Sequence, residues 1–198
     1  YVGIHATSAI SLLLITTWYH RVAQFKRAMQ TSQVQLNVQV PMRDGVCLST
    51  DIYLPVRTGS FPTLLCRTIY NNQVDGISLV RPFVTAGYAV VIQDCRGRHD
   101  SEGVWEPYVW EAEDGFDTQE WISKQSWCNG NLGTFGTSYI GFTQIQTAPL
   151  RNRILKGLAP FGSQQDNFGH FYVDGVLQLH VALYFMNMAG RTMQTGTT

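Results

Sequence analysis

Ser138 stands in the run Gly136-Thr137-Ser138-Tyr139-Ile140-Gly141, a serine between two glycines at the junction of a strand-like and a helix-like segment. A hydroxyl held on a sharp strand-to-helix turn is pushed clear of the sheet edge, where it can attack an electrophilic carbonyl. Small neighbours are needed close to such a strained residue, and Gly136 and Gly141 supply them. The second glycine falls one place later than in the G-x-S-x-G pattern. Attack at a carbonyl also requires donors for the oxyanion. The backbone N–H of Tyr139, the residue after the serine, is one candidate. A second must come from the loop after the third strand, where Tyr70 lies in Arg67-Thr68-Ile69-Tyr70-Asn71. By its chemistry alone, Tyr70 reads as an ordinary packing residue.

The surrounding pattern predicts elements able to hold these residues. Val34 to Val40 alternates apolar and polar strictly, as a half-buried strand does. Arg43-Asp44-Gly45 reads as a turn, and Val46 to Leu54 as a second strand, so the two form an antiparallel hairpin at a sheet edge. Phe61–Cys66 reads as a buried strand and Tyr70–Gly76 as a loop, followed by a helix over Leu79–Ala86. Tyr88–Ile92 is a strongly apolar strand. Glu111–Ser123 reads as a helix with acidic residues in its first turn, which suits the helix dipole. Then come a strand at Asn131–Phe135, a helix at Tyr139–Ala148, and a strand at Ile154–Leu158 ended by Ala159-Pro160. Strands alternating with helices indicate parallel β-α-β units and a mostly parallel α/β sheet. Residues 161–198 break the rhythm and read as a helical insertion. The predicted division is 1–30, 31–160 as the core, and 161–198 as the start of a cap.

The chain has 198 residues, enough for one well-packed domain. Charged residues make up 14% and the formal net charge is zero, which leaves no basic footprint for nucleic acid. Cys47, Cys66, Cys95 and Cys128 lack metal-ligand spacing and read as free thiols of the core; a disulfide stays open if the protein is exported. Residues 1–19 contain no Asp, Glu, Lys or Arg. They read equally as a signal or membrane anchor or as a helix packed on the domain. Cytoplasmic and exported locations both stay open. The chain opens on Tyr1 rather than Met, and is read as lacking the start of its gene product.

A longer set of residues carries a more specific likeness. It comprises Pro41-Met42-Arg43-Asp44-Gly45-Val46, Asp51-Ile52-Tyr53-Leu54-Pro55, Arg67-Thr68-Ile69-Tyr70 and Gly87-Tyr88-Ala89-Val90-Val91-Ile92-Gln93-Asp94. It continues through Arg96-Gly97, Ser101-Glu102-Gly103, Asp117-Thr118, Trp121-Ile122 and Trp127-Cys128-Asn129-Gly130 to the serine motif. In order and spacing, from about Val38 to Pro160, the chain resembles the CocE/NonD family of cocaine esterases, α-amino-acid ester hydrolases and X-prolyl dipeptidyl-peptidases. The resemblance implies an α/β-hydrolase fold and a serine hydrolase that cleaves esters or amides through an acyl-enzyme without a cofactor. It accounts for the displaced glycine, since the family uses G-x-S-Y-x-G. It also makes Tyr70 an oxyanion donor through its hydroxyl. Asp94 and Arg96 match a shared loop motif and read as a structural ion pair bracing that loop.

An α/β-hydrolase orders its triad as serine, acid, histidine. After Ser138 the chain offers Asp166, Asp174, His170 and His180, all where the family builds its cap; His5, His20 and His99 precede the serine. The catalytic acid and base are therefore expected beyond residue 198, and the 198 residues alone are expected to be inactive and poorly soluble. Expected partners are a small ester or amide or a short peptide, with a homo-oligomer left open and a membrane engaged only if residues 1–19 are an anchor. Two readings of other classes stay open: a non-catalytic binding domain of the same fold, and a membrane-anchored structural fragment.

Overall fold

The computed structural model describes residues 32–56, 58–163 and 166–190. Residues 1–30, with the anchor-or-helix alternatives, lie outside the described residues. Among the described residues, no helix is long and apolar enough to cross a membrane.

A six-stranded sheet forms the frame. Its strands are β1 (Ser32–Pro41), β2 (Cys47–Pro55), β3 (Phe61–Thr68), β4 (Ala89–Asp94), β5 (Cys128–Thr137) and β6 (Leu155–Phe161), in the order β1-β2-β4-β3-β5-β6. The first two pair antiparallel at one edge, and β2 also runs antiparallel to β4. From β4 across to β6 every pairing is parallel. This is the mostly parallel sheet with an edge hairpin that the sequence predicts, in the arrangement of an α/β hydrolase.

Three helices cover the two faces. Helix α1 (Asn72–Thr85) sets Val80 and Val84 against Tyr53, Cys66, Val90 and Ile92. Helix α2 (Glu111–Ser123) sets Ile122 against Ile52, Leu65, Val91 and Leu132. Because alternate residues of a strand point to opposite faces, these two sets lie on opposite sides of the sheet. Helix α3 (Tyr139–Thr147) follows β5 and runs on through a short 3₁₀ turn at Ala148–Leu150.

Several elements differ from the sequence reading. In β1 a bulge between Gln35 and Val38, with Asn37 at φ 52°, inserts one residue opposite β2. The Asn37 N–H donates to Asp51 Oδ1 at 2.8 Å. The bulge reverses the phase of the alternation. Val34 packs with the cluster under α1, Val38 with the cluster on the other face, and Leu36 is 53% exposed. Helix α1 starts at Asn72, so most of the predicted Tyr70–Gly76 loop is helical despite Gly76, and Pro82 lies inside the helix. Strand β6 runs through Ala159-Pro160 to Phe161, because an edge strand tolerates a proline.

Beyond β6 come a short helix α4 (Asn167–Phe171), a small hairpin of β7 (Tyr172–Val173) and β8 (Val176–Leu177), and helix α5 (Leu179–Gly190). All four cysteines are free thiols, with Cys66 and Cys95 buried.

Candidate active site

Strand order brings Tyr70 and Ser138 together. From β3 the chain crosses through α1 to β4 on one side, then returns through α2 to β5 on the other side of β3. The ends of β3 and β5 therefore flank a topological switch point, where open α/β sheets form a crevice. Tyr70 follows β3 by two residues and Ser138 follows β5 directly. Their hydroxyl oxygens, Tyr70 Oη and Ser138 Oγ, lie 3.3 Å apart.

The backbone at Ser138 has the strained form expected of an exposed nucleophile. It sits at φ 57°, ψ −127°, between β5 and the first residue of α3. Gly136 is at φ 139°, and a Cβ there would lie 2.2 Å from Ile140 Cγ2, so the turn admits no side chain. A Cβ at Gly141 would lie 2.8 Å from Ser163. The Ser138 N–H donates to Phe161 O at 2.9 Å, tying the turn to the end of β6. On the helix side, the Ser138 carbonyl accepts from the N–H groups of Gly141 and Phe142. Tyr139 is the first residue of α3, so its own N–H has no acceptor within the helix.

The Tyr139 side chain points inward and anchors this corner. Its hydroxyl donates to Glu111 Oε1 at 2.8 Å and accepts from the Tyr108 N–H at 2.9 Å. Burial, reinforced by the charge of Glu111, raises the phenol pKa and keeps it protonated. Behind it Arg67 pairs with Glu111 at 3.1 Å, and both side chains are buried. Gln144 binds α3 to two strands, since its Oε1 accepts from Thr134 Oγ1 and from the Ala159 N–H.

Asp94 and Arg96 do not form the ion pair read from the sequence. Arg96 binds Asp114 at 2.7 Å and Asp44 at 2.7 Å, so it joins the β1–β2 turn to α2. Asp94 turns instead to the start of α1, where its Oδ1 accepts the Asn72 N–H at 2.8 Å. Asp94 is the last residue of β4, whereas Arg96 lies in the turn that follows, so the two side chains leave the backbone in different directions. Burial pushes the Asp94 carboxyl up to about 8.

Among the described residues, Ser138 is joined to no histidine or carboxylate by a hydrogen bond or ion pair. The Asp166 carboxylate caps α4, accepting from the N–H groups of Phe168 and Gly169. His170 packs edge-on to Phe171 and Phe185. Asp174 lies in the β7–β8 turn at φ 50°. His99 Nε2 faces Ile69 O at 3.3 Å. Above Tyr139 an aromatic stack is centred on Tyr108, whose ring is 5.1 Å from Tyr139, 4.7 Å from Phe142 and 5.5 Å from Phe185. The sequence offered no local signal for Tyr108, Glu111 or Arg98 as neighbours of the site, because their roles depend on loop geometry.

Fold and elbow together define an α/β hydrolase. The family of X-Pro dipeptidyl-peptidases (S15 family) matches residues 44–197, and the chain belongs to this family, that of the CocE/NonD hydrolases. It is 45% identical over 139 residues to the cocaine esterase of Rhodococcus sp. (strain MB1 Bresler), covering 67% of this chain and 24% of that protein. A CocE/NonD family hydrolase from Staphylococcus aureus superposes with a TM-score of 0.75 at 26% identity, covering 82% of this chain and 34% of that one. An aminopeptidase from a marine sediment Thaumarchaeota archaeon superposes with a TM-score of 0.69 at 25% identity, over 84% of this chain and 32% of that one. The chain thus spans about a quarter to a third of these relatives' length.

Proposed function

We propose that the protein is a serine hydrolase that cleaves carboxylic esters or amides through an acyl-enzyme, with esterase or acylase character. Ser138 Oγ attacks the carbonyl carbon, and the developing oxyanion is held by the Tyr70 hydroxyl and the Tyr139 N–H. Collapse of the tetrahedral intermediate expels the alcohol or amine and leaves the acyl group on Ser138. Water then releases the acid. The single observation carrying this reading is the 3.3 Å approach of Tyr70 Oη to a serine oxygen on a strained elbow.

The proton from Ser138 needs a base, and an unassisted serine hydroxyl is a poor nucleophile. Asp166 is engaged as a helix cap, and His170 is packed among aromatic rings. We assign the acid and the histidine to residues outside these 198, so the piece alone is inactive. Residues 161–198 form the start of a cap, a role supported by the contact of Phe185 with the ring of Tyr108. The chemistry uses protein donors alone and calls for no cofactor. The substrate is a small ester or amide or a short peptide.

X-Pro peptide cleavage and α-amino-acid ester hydrolysis are the second reading, favoured by the name of the family and by the aminopeptidase likeness. Both need carboxylates to hold a substrate's free amine. In the early cap Asp166 is already committed to capping α4, which favours the simpler esterase.

The test is labelling of the full-length gene product with a fluorophosphonate probe, beside Ser138→Ala. Labelling abolished by the substitution is the expected result, followed by a panel of simple esters, amino-acid esters and X-Pro amides. A folded full-length protein that stays unlabelled would reject the hydrolase and leave a binding domain of the same fold.

A further inference from the structure

The loop carrying Tyr70 is held on both sides by one neighbouring segment. The Ile69–Tyr70 peptide is fixed at both of its polar groups. Its carbonyl, Ile69 O, accepts from Arg98 Nε at 3.1 Å and Arg98 Nη2 at 2.9 Å, with His99 Nε2 at 3.3 Å. Its N–H donates to Thr68 Oγ1 at 2.9 Å. A peptide is planar, so gripping both groups fixes its rotation. Two residues on, the Asn72 N–H is held by Asp94 Oδ1 at 2.8 Å. Between these anchors Asn71 takes φ 94°, a conformation that a non-glycine residue keeps only when its surroundings impose it.

Arg98 is built for this task. It is 3% exposed, and its guanidinium lies 4.2 Å from the centre of the Trp105 ring. Stacking fixes the plane of the fork, and both donors then meet one carbonyl. Gly97 makes the stack possible, since a Cβ there would lie 2.1 Å from the Trp105 backbone N. The Tyr70 hydroxyl stands at the far end of a long rigid side chain, which magnifies any turn of its backbone. A misplacement of about 1 Å can cost roughly 10²-fold in rate.

We propose that Arg98 is a positioning residue which, stacked on Trp105 and bound to Ile69 O, fixes the backbone that aims the Tyr70 hydroxyl at the oxyanion of the Ser138 adduct. This rests on the reading of Tyr70 as an oxyanion donor.

A double-mutant cycle on the full-length gene product tests it, with p-nitrophenyl acetate as probe and Arg98→Met, Tyr70→Phe and the double variant compared. Tyr70→Phe is expected to lower kcat by about 10²-fold, the usual loss for an oxyanion donor. Arg98→Met is expected to lower kcat at least about tenfold with KM nearly unchanged, because the defect lies in the transition state. In the Tyr70→Phe background the same change should cost less than about threefold, since residues that act as a unit are non-additive. Arg98→Lys should recover part of the loss. Equal kcat losses in both backgrounds, or no loss from Arg98→Met, would overturn the proposal. If Tyr70→Phe alone is silent, the oxyanion role falls and this inference with it, whereas fluorophosphonate labelling of Ser138 still judges the hydrolase separately. Should Arg98→Met fail to fold, Trp105→Leu enters the same cycle, with a smaller loss expected that again vanishes without the Tyr70 hydroxyl.

Discussion

At Asp94 a carboxyl is buried beside the loop that bears Tyr70, and this gives the fold a pH dependence of defined sign. Its pKa rises to about 8, chiefly through burial, with the nearby Asp100 and Asp51 adding to the effect and the Asn72 N–H and Arg98 opposing it. In the unfolded chain an aspartate titrates near pH ~4. Between about pH 4 and pH 8 the folded state therefore binds more protons than the unfolded one, and stability falls as pH rises through that window. Asp94→Asn keeps an oxygen for the Asn72 N–H and removes the titration. Melting of the full-length protein should show a flatter pH profile for the variant and a higher melting temperature than wild type at pH 8. An unchanged slope would count against a titrating Asp94. This residue was legible in the sequence as part of a loop motif, but not its partner. The strand-to-helix turn at Ser138 was legible from its glycines and flanking elements. Tyr70 was not, because a tyrosine in a loop has no local mark of chemistry and was singled out only by family likeness.

Helices α2 and α3 approach closely where Gly115 faces Thr147. A Cβ on Gly115 would lie 2.1 Å from Thr147 Oγ1 and 3.1 Å from Thr147 Cβ. Ala normally improves a helix interior by about 1 kcal/mol over Gly. Here Thr147 is buried, β-branched, and hydrogen-bonded through Oγ1 with Thr143 O and Glu111 O, so moving aside would break those bonds. Overpacking of this kind costs about 1–3 kcal/mol. Gly115→Ala is thus expected to destabilise on balance, read as a lower denaturation midpoint; a rise would show that the helices can part cheaply. At this scale the sequence carried most of the fold. Glu111–Ser123 matches α2 end to end. The misses have local causes. A bulge exchanges faces without altering the apolar-polar rhythm of β1, and Gly76 and Pro82 masked the true length of α1.

At the scale of the molecule, several large apolar side chains of the described residues remain uncovered. Phe161 is 77% exposed, and Leu158, Phe168, Val176, Leu179 and Met186 are exposed with it. They belong to β6, the last strand of the described sheet, and the segment after it; an exposed strand edge and uncovered apolar side chains both favour self-association. The 198 residues expressed alone should therefore elute as oligomers or aggregates and bind the dye ANS more strongly than the full-length protein. A monodisperse monomer with little dye binding would contradict this.

Both Tyr70 and Ser138 stand at the C-terminal ends of parallel strands, and this sets the candidate site on one rim of the sheet. The turn between α2 and β5 lies at the opposite rim, with Lys124 and Ser126 exposed. A ten-residue strand at about 3.3 Å per residue puts that turn about 30 Å from the serine. An affinity tag or fluorescent reporter grafted between Gln125 and Ser126 would stand at the far rim of the sheet from Tyr70 and Ser138, so the protein could be captured or imaged with the candidate site left clear.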